Sequence, residues 1–342
     1  MNPPAILSWL LWPFSLLYGA YVRLRAIAYR RNWLSRNKLN EIVVSVGNLT
    51  TGGTGKTPTV LWLALRAAAA GRRVGVLTRG YRSKGQTDTA GRPRSDEAAL
   101  LGERFAGRAQ LGVGADRYAS GSVLARHGVN WFVLDDGFQH LRLRRDADIV
   151  LLDATAPFGN GRLIPAGPLR EPRSALARAD VILITRTDRS PALESMVRHY
   201  TNAPLFYARA AMEGLYRAPQ RKVLLPQQEW SRARFFAFAG IGNARAFFDD
   251  LQLWGVPLAG TRAYRDHHRF TQSDVSSLDR AAAAAGADAL VCTEKDVFNL
   301  RDTRFEGLPI YAARIDLELS DAEGFWQTVC RIAERRRGGA AQ

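Results

Sequence analysis

The sequence predicts an α/β protein in which a mainly parallel sheet is covered by helices. A second, smaller α/β domain follows it and an N-terminal membrane-associating helix precedes it. Three observations carry this expectation. Short apolar runs recur at 74–77, 127–134, 149–152 and 181–184, with helical stretches between most of them, the pattern of strands buried on both faces. A glycine-rich turn follows a further run, Glu41–Val46, and opens a helix, as in P-loop NTPase-like folds. The chain before it is apolar and then basic. The expected division is 1–36 for the helix and its basic flank, 37–220 for the core domain and 221–342 for the smaller domain.

Between Ala5 and Val22 most residues are apolar, and Trp9, Trp12 and Trp33 lie in or near the segment, where indole favours the headgroup level of a bilayer. Arg23, Arg25, Arg30, Arg31, Arg36 and Lys38 follow. Apolar first and cationic after describes a helix lying in a membrane surface. A signal peptide would place its charge before the apolar run and a cleavage site after it. A spanning helix needs about 20 apolar residues, more than this Pro13-containing run supplies, so lying in the surface is preferred to spanning, and a core helix docked on the rest of the protein is the non-membrane alternative. The arginines keep the remaining chain cytoplasmic.

The stretch Val44–Pro58, VSVGNLTTGGTGKTP, has the order strand, glycine loop, helix. Gly52, Gly53, Thr54 and Gly55 let backbone N–H groups converge on phosphate oxygens; Lys56 reaches the β- and γ-phosphates; the Thr57 hydroxyl ligates Mg²⁺. Pro58 falls in the first helical turn, where a missing N–H costs little. Thr50 stands where the general pattern has its first glycine. The run ending at Leu134 leads into Asp135-Asp136-Gly137, a tight turn that points two carboxylates toward a metal beside the phosphates. An Asp-Gly strand cap is the plainer alternative.

A net charge of +16 over 342 residues favours acidic partners: anionic lipid, a phosphorylated substrate or nucleic acid. Cys292 and Cys330 form no CxxC pair, which argues against a disulfide framework or a structural zinc site and for a reducing compartment. After Pro219 a basic, polar stretch leads to a new strand at Phe235. Gly240-Ile-Gly242 lacks the third glycine of a dinucleotide fingerprint. In Asp266-His267-His268 the adjacent side chains do not point the same way, so one histidine beside an aspartate orients a hydroxyl, or the whole is a solvated turn. Thr293-Glu-Lys-Asp296 either contacts phosphate or caps a helix.

Taken together, SVGNLTTGGTGKTP, LTRGY, VLDDGFQH, GNGRLIPAGPLREP, FAGIGN, DHHRF and TEKD resemble the tetraacyldisaccharide 4′-kinase family, in order from the N-terminal segment to about residue 300. The resemblance implies an ATP- and Mg²⁺-dependent kinase of lipid A biosynthesis. It would act at the cytoplasmic face of the inner membrane on an acylated disaccharide 1-phosphate glycolipid, with no nucleic acid and no obligate protein partner. It assigns Lys56 and Thr57 to the phosphate loop, Asp135 and Asp136 to the metal and phosphates, Gln139 to the same cluster and Glu171 to the metal. Arg170 and Arg173 would meet the substrate's 1-phosphate. The family pairs an aspartate from a GDEP motif with a later histidine. Here that motif reads Ser95-Asp-Glu-Ala98, which makes Asp96 the base and His267 its partner, with His268 as second choice. With Asp96 in the core domain, closure of the smaller domain would assemble the pair over bound substrates. A membrane-bound NTPase switch acting on a protein is the alternative, distinguished by passing phosphate only to water.

Overall fold

The computed structural model describes residues 9–80, 96–218, 223–300, 303, 304 and 307–338. The side chain of Asp96, the first residues of the apolar segment and the expected domain cut at 220–221 lie outside that set. The chain forms two compact units. The first comprises the described parts of Met1–Arg94, Leu101–Arg209 and Leu317–Gln342, and the second those of Ser95–Leu100 and Ala210–Asp316.

The first unit is built on β1 (Ile42–Asn48), β2 (Val74–Thr78), β3 (Ala109–Val113), β4 (Trp131–Asp135), β5 (Ala147–Asp153), β6 (Val181–Thr185) and the start of β7 (Leu205–Arg217). Their order is β3-β2-β4-β1-β5-β6-β7, and every pairing is parallel. From β1 the chain first builds outward through β2 and β3, then returns to β4 and crosses to β5. The carboxyl ends of β1 and β4 therefore border the point where strand order reverses, the usual place for a ligand.

Side chains alternate between the sheet's two faces with period two. On one face Val44, Val46, Val133, Ile149 and Leu151 pack with Val60, Leu63 and Ala67 of α2 (Lys56–Ala69). On the other, Val150, Leu152, Ile182 and Ile184 pack with Phe138, Leu169 and Leu176. The C-terminal helix (Ala322–Gly338) sits in this unit rather than with the residues before it. Its stripe of Phe325, Trp326, Val329 and Ala333 belongs to the same core as α2, with Trp326 tilted 5.6 Å from Trp131. A cut in chain order could not place it so, because burial of an amphipathic face is decided by what it packs on.

The first helix, α1 (Trp12–Arg30), is inside out. Its buried residues are Ser15, Gly19, Val22 and Tyr29, while Trp12, Phe14, Leu16, Leu17, Tyr21 and Leu24 are exposed. Small residues let it lie close to the unit: a Cβ on Gly19 would come within 2.7 Å of Leu163. The Ser15 hydroxyl donates to the Leu163 carbonyl (2.9 Å), and the Tyr18 hydroxyl donates to the Arg170 carbonyl (3.0 Å). Among the described residues no helix is long and apolar enough to cross a membrane.

The second unit carries the rest of β7, β8 (Phe235–Ala239), β9 (Leu258–Ala263), β10 (Ala289–Thr293) and most of β11 (Ile310–Leu319). Here β11, β10, β8 and β9 lie side by side, all parallel. Cys292 is buried in its core beside Phe238, Leu278 and Leu290, and both cysteines are free thiols.

Candidate active site

The loop after β1 has the geometry a phosphate requires. Gly52 (φ +122°) and Gly55 (φ +85°) adopt conformations that L side chains rarely take. A Cβ on Gly52 or Gly53 would meet nothing within 4 Å, so the turn is open above its backbone. Thr50 is not left-handed. It is buried and bridges to Leu169, while Thr51 N–H donates to the Pro168 carbonyl (2.8 Å), so a β-branched residue serves where the general pattern has glycine. The Thr185 hydroxyl donates to the Thr54 carbonyl (3.2 Å), and the Thr54 hydroxyl is buried without a partner among the described residues. Gly55 caps α2, and Lys56 and Thr57 open its first turn.

Charge converges on this turn. Lys56 Nζ lies 3.3 Å from Asn48 Oδ1, 3.5 Å from the Gly52 carbonyl and 3.7 Å from Asp136 Oδ1. Arg170 grips Asp136 with both Nη atoms, at 2.8 and 2.9 Å, and also donates to Asn48 Oδ1. Burial pushes the Asp136 carboxyl up, but the Arg170 hydrogen bonds and the charges of Lys56, Arg170 and Arg117 prevail and hold it at about 2. Asp136 itself is left-handed (φ +49°), and Gly137 N–H donates to the Val46 carbonyl (3.0 Å), which pins the turn over β1. A Cβ on Gly137 would strike Leu134 and Ser45 Oγ at 2.6 Å.

The two adjacent acids, expected to aim at one spot, take different partners. Asp135 is buried and accepts from the Thr78 hydroxyl at 3.1 Å, whereas Asp136 faces the cations. Successive residues around a turn project differently, and only Asp136 has the left-handed backbone. Glu171, expected on the metal, is buried with both oxygens engaged: Arg178 donates at 2.7 and 2.9 Å and Gln139 Nε2 at 3.1 Å. Gln139 also donates to the Asn48 carbonyl (3.0 Å), so Glu171 fixes the floor beneath the phosphate loop. Arg173 lies 4.8 Å over the Phe158 ring. No three His, Cys, Asp or Glu among the described residues gather to hold a metal unaided. Mg²⁺ does not require that, since it commonly takes one or two protein oxygens with phosphate and water. Thr57 and the Asp135–Asp136 turn suit such a site, and the open glycine turn with its unpartnered Thr54 hydroxyl suits a triphosphate.

Asp96, expected in the core domain, instead opens α3 (Asp96–Phe105) within Ser95–Leu100, the stretch that belongs to the second unit with His267, and Glu97 follows it. Lys295 Nζ lies 3.4 Å from Glu97 Oε1, 3.3 Å from His267 Nε2 and 3.6 Å from Asp266 Oδ1. His267, in the left-handed region (φ +57°), donates its N–H to the Gly240 carbonyl. His268 does something else. Its Nε2 meets Asp274 at 3.1 Å, where Asp274 completes the capping box of α4 (Gln272–Ala284), and its ring stacks on Tyr264 at 4.7 Å. His267 is thus the histidine grouped with the start of α3, and His268 is tied to a helix end. Asp296 completes the capping box of α5 (Glu294–Asn299) with the N-cap Thr293, while its neighbour Lys295 serves the cluster.

Sequence reasoning missed Asn48, Arg178 and Lys295. Asn48 and Lys295 sat inside quoted motifs as unweighted letters. Arg178 carried no signal, because its partner Glu171 becomes visible only when the 3₁₀ turn Arg173–Arg178 is folded.

The family described as tetraacyldisaccharide-1-P 4′-kinase (LpxK) matches residues 7–334. Tetraacyldisaccharide 4′-kinase from Geobacter sulfurreducens is 39% identical over 319 residues, covering 89% of this chain and 88% of that one. Its counterpart from Geobacter metallireducens is 39% identical over 327 residues, covering 91% and 94%. Among solved structures, the "apo" form of LpxK from Aquifex aeolicus in complex with ATP aligns at a TM-score of 0.74 with 28% identity, covering 95% of this chain and 99% of that one.

Proposed function

This chain belongs to the tetraacyldisaccharide 4′-kinase family, and from that premise we propose how its residues perform the reaction. It is an ATP-dependent lipid kinase that transfers the γ-phosphoryl group of ATP to the 4′-hydroxyl of a tetraacyldisaccharide 1-phosphate, a step of lipid A biosynthesis. The NTPase switch is not favoured, because the relatives are named as kinases of this acceptor.

The observation that carries the reading is the meeting of Lys56, Arg170 and Asp136 at the open Gly52–Gly53 turn. Backbone N–H groups from Gly52 to Thr57 take the β- and γ-phosphate oxygens. Lys56 exchanges part of its contact with Asp136 for the transferring group. Thr57 with Asp136, and Asp135 behind it, would hold Mg²⁺, which would supply screening of the phosphate charge. Arg173 meets the substrate's 1-phosphate, whereas Arg170, expected there too, stays on Asp136 beside the phosphate loop and Gln139 stays on Glu171. In the transfer, the 4′-oxygen bonds to the γ-phosphorus as the bond to the β–γ bridging oxygen breaks. ADP departs with that electron pair, and the hydroxyl proton passes to Asp96, which His267 orients.

The exposed apolar face of α1 lies in the cytoplasmic surface of the inner membrane, where such an acceptor resides. Tyr18 and Ser15 tie that helix to the segment bearing Arg170. The test is incubation of the purified chain with γ-labelled ATP, Mg²⁺ and the disaccharide 1-phosphate in detergent. Label is expected in the lipid fraction; release solely as inorganic phosphate would restore the switch reading.

A further inference from the structure

An open cavity of about 690 Å³ lies in the first unit just past the end of α1, and none of its lining residues belongs to the phosphate loop. Arg36, Lys38, Arg144, Arg145, Arg178 and Arg336 all line it. Its one lining carboxylate, Asp148, is gripped by Arg145 at 2.9 Å. Arg336 is spent on Asp180 and Arg178 on Glu171. Among the described residues, Arg36, Lys38 and Arg144 have no carboxylate within ion-pair distance. Partial burial of a largely exposed side chain, then the charges of Arg145, Arg144 and Arg178, makes Arg36 easier to deprotonate than an ordinary arginine. The Nε–H of Arg178 is buried with no acceptor among the described residues.

A basic surface is ordinarily just solvated. This one differs in shape and place. Like charges gathered in a hollow repel one another until an anion arrives. The hollow sits at the amino ends of the strands, beside residues 141–148 that lead into β5, whereas the phosphate loop leaves the carboxyl end of β1. In register Asn48 pairs with Leu151, so Asp148 lies three residues back, roughly 10 Å along the sheet. Trp33 and Leu34, between the lining residues Asn32 and Arg36 in the chain, form exposed apolar surface just past the end of α1. A phosphate group held here would have its attached chains beside that surface.

We propose that this cavity is a second phosphate site, distinct from the ATP loop, which takes the headgroup of an anionic membrane phospholipid. The phosphate would sit among Arg36, Lys38 and Arg144 by charge-assisted hydrogen bonds, and the acyl chains would follow α1. Occupation would fix the rotation of α1 on the membrane, and with it the Arg170 segment that Tyr18 holds.

The test uses the full chain saturated with ATP and Mg²⁺, titrated calorimetrically with short-chain phosphatidylglycerol below its micellar concentration. One-to-one binding is expected, weakened at least tenfold in Arg36→Gln/Arg144→Gln. Both side chains are exposed, so an unchanged melting temperature should accompany the loss. The control pair Arg23→Gln/Arg30→Gln, exposed cations on α1 outside the cavity, should bind within about twofold of wild type. Equal losses in the two pairs would mean diffuse attraction and overturn the site. Inorganic phosphate binding as tightly as the lipid would overturn the headgroup assignment. A tenfold rise in acceptor KM in detergent for the cavity pair would give the cavity to the substrate's own 1-phosphate instead. That outcome leaves the kinase reading standing, since phosphate would still be transferred.

Discussion

Asp136 and Asp296 occupy similar places in the two units, each just past the carboxyl end of an interior strand, β4 in one and β10 in the other. Their protons behave oppositely. Asp136 is held at about 2 because Arg170 and Lys56 outweigh its burial. Asp296 is pushed up to about 6 because it is fully buried, and the Thr293 hydroxyl and the Gly240 N–H only partly offset that. The first is an ionised group among cations, suited to a metal and to exchanging partners with phosphate. The second is a helix cap that closes the turn carrying Gly240, on whose carbonyl His267 is hung. The same residue type beyond a strand end holds its proton loosely or tightly according to whether the surrounding cations or burial prevail.

The contrast can be broken by mutation, starting with the largest effect. Lys56→Ala should lower phosphoryl transfer about 1000-fold, as expected when a charge aimed at the transferring group is lost. Melting should change little, and a single-turnover assay with labelled ATP reads it. Asp136→Asn should cost about 100-fold in kcat and weaken the dependence on Mg²⁺. A variant that kept its rate would move the metal to Asp135 alone. Asp296→Ala should do the reverse: roughly 2 kcal/mol of stability lost by denaturant titration, because the Gly240 and Thr293 donors lose their acceptor, with ATP affinity unchanged.

A subtler test uses pH. The Asp296 carboxyl holds its proton more tightly folded than unfolded. Its favourable contribution is therefore complete below about pH 4 and is lost as pH rises through about 6. Asp296→Asn should flatten the fall in stability across that window. The smallest effects separate the neighbouring histidines. His267→Ala is expected to lower kcat roughly tenfold with stability intact, whereas His268→Ala should cost about 1 kcal/mol through the α4 cap and leave kcat alone. The opposite pattern would exchange their roles.

Legibility followed sequence distance. The phosphate loop was readable because its parts are neighbours: Gly52 to Thr57 supply turn, amides and helix end within one short run. The strands β2, β4, β5 and β6 were readable because both their faces are buried, which leaves unbroken apolar runs. The longer β7, LFYARAAMEGLYR, and β11, IYAARIDLEL, were not, since each mixes buried, intermediate and exposed positions and shows no single period. The first helix was legible as apolar, yet only the folded chain revealed which side was free. Ser15 and Gly19 face inward because small residues permit close packing, and that turns the bulky residues out.

The sequence by itself determined the chemistry that depends on consecutive residues: a phosphate-binding turn, a pair of acids after a strand, and an apolar segment followed by arginines. Tertiary structure alone decided which charges meet. Arg170 on Asp136, Arg178 on Glu171 and Lys295 beside Glu97 and His267 join residues 34, 7, 198 and 28 positions apart. The reason is physical. Backbone geometry is set by near neighbours, whereas the field at a carboxylate falls off with distance through space, and most of the groups that dominate it arrive from elsewhere in the chain.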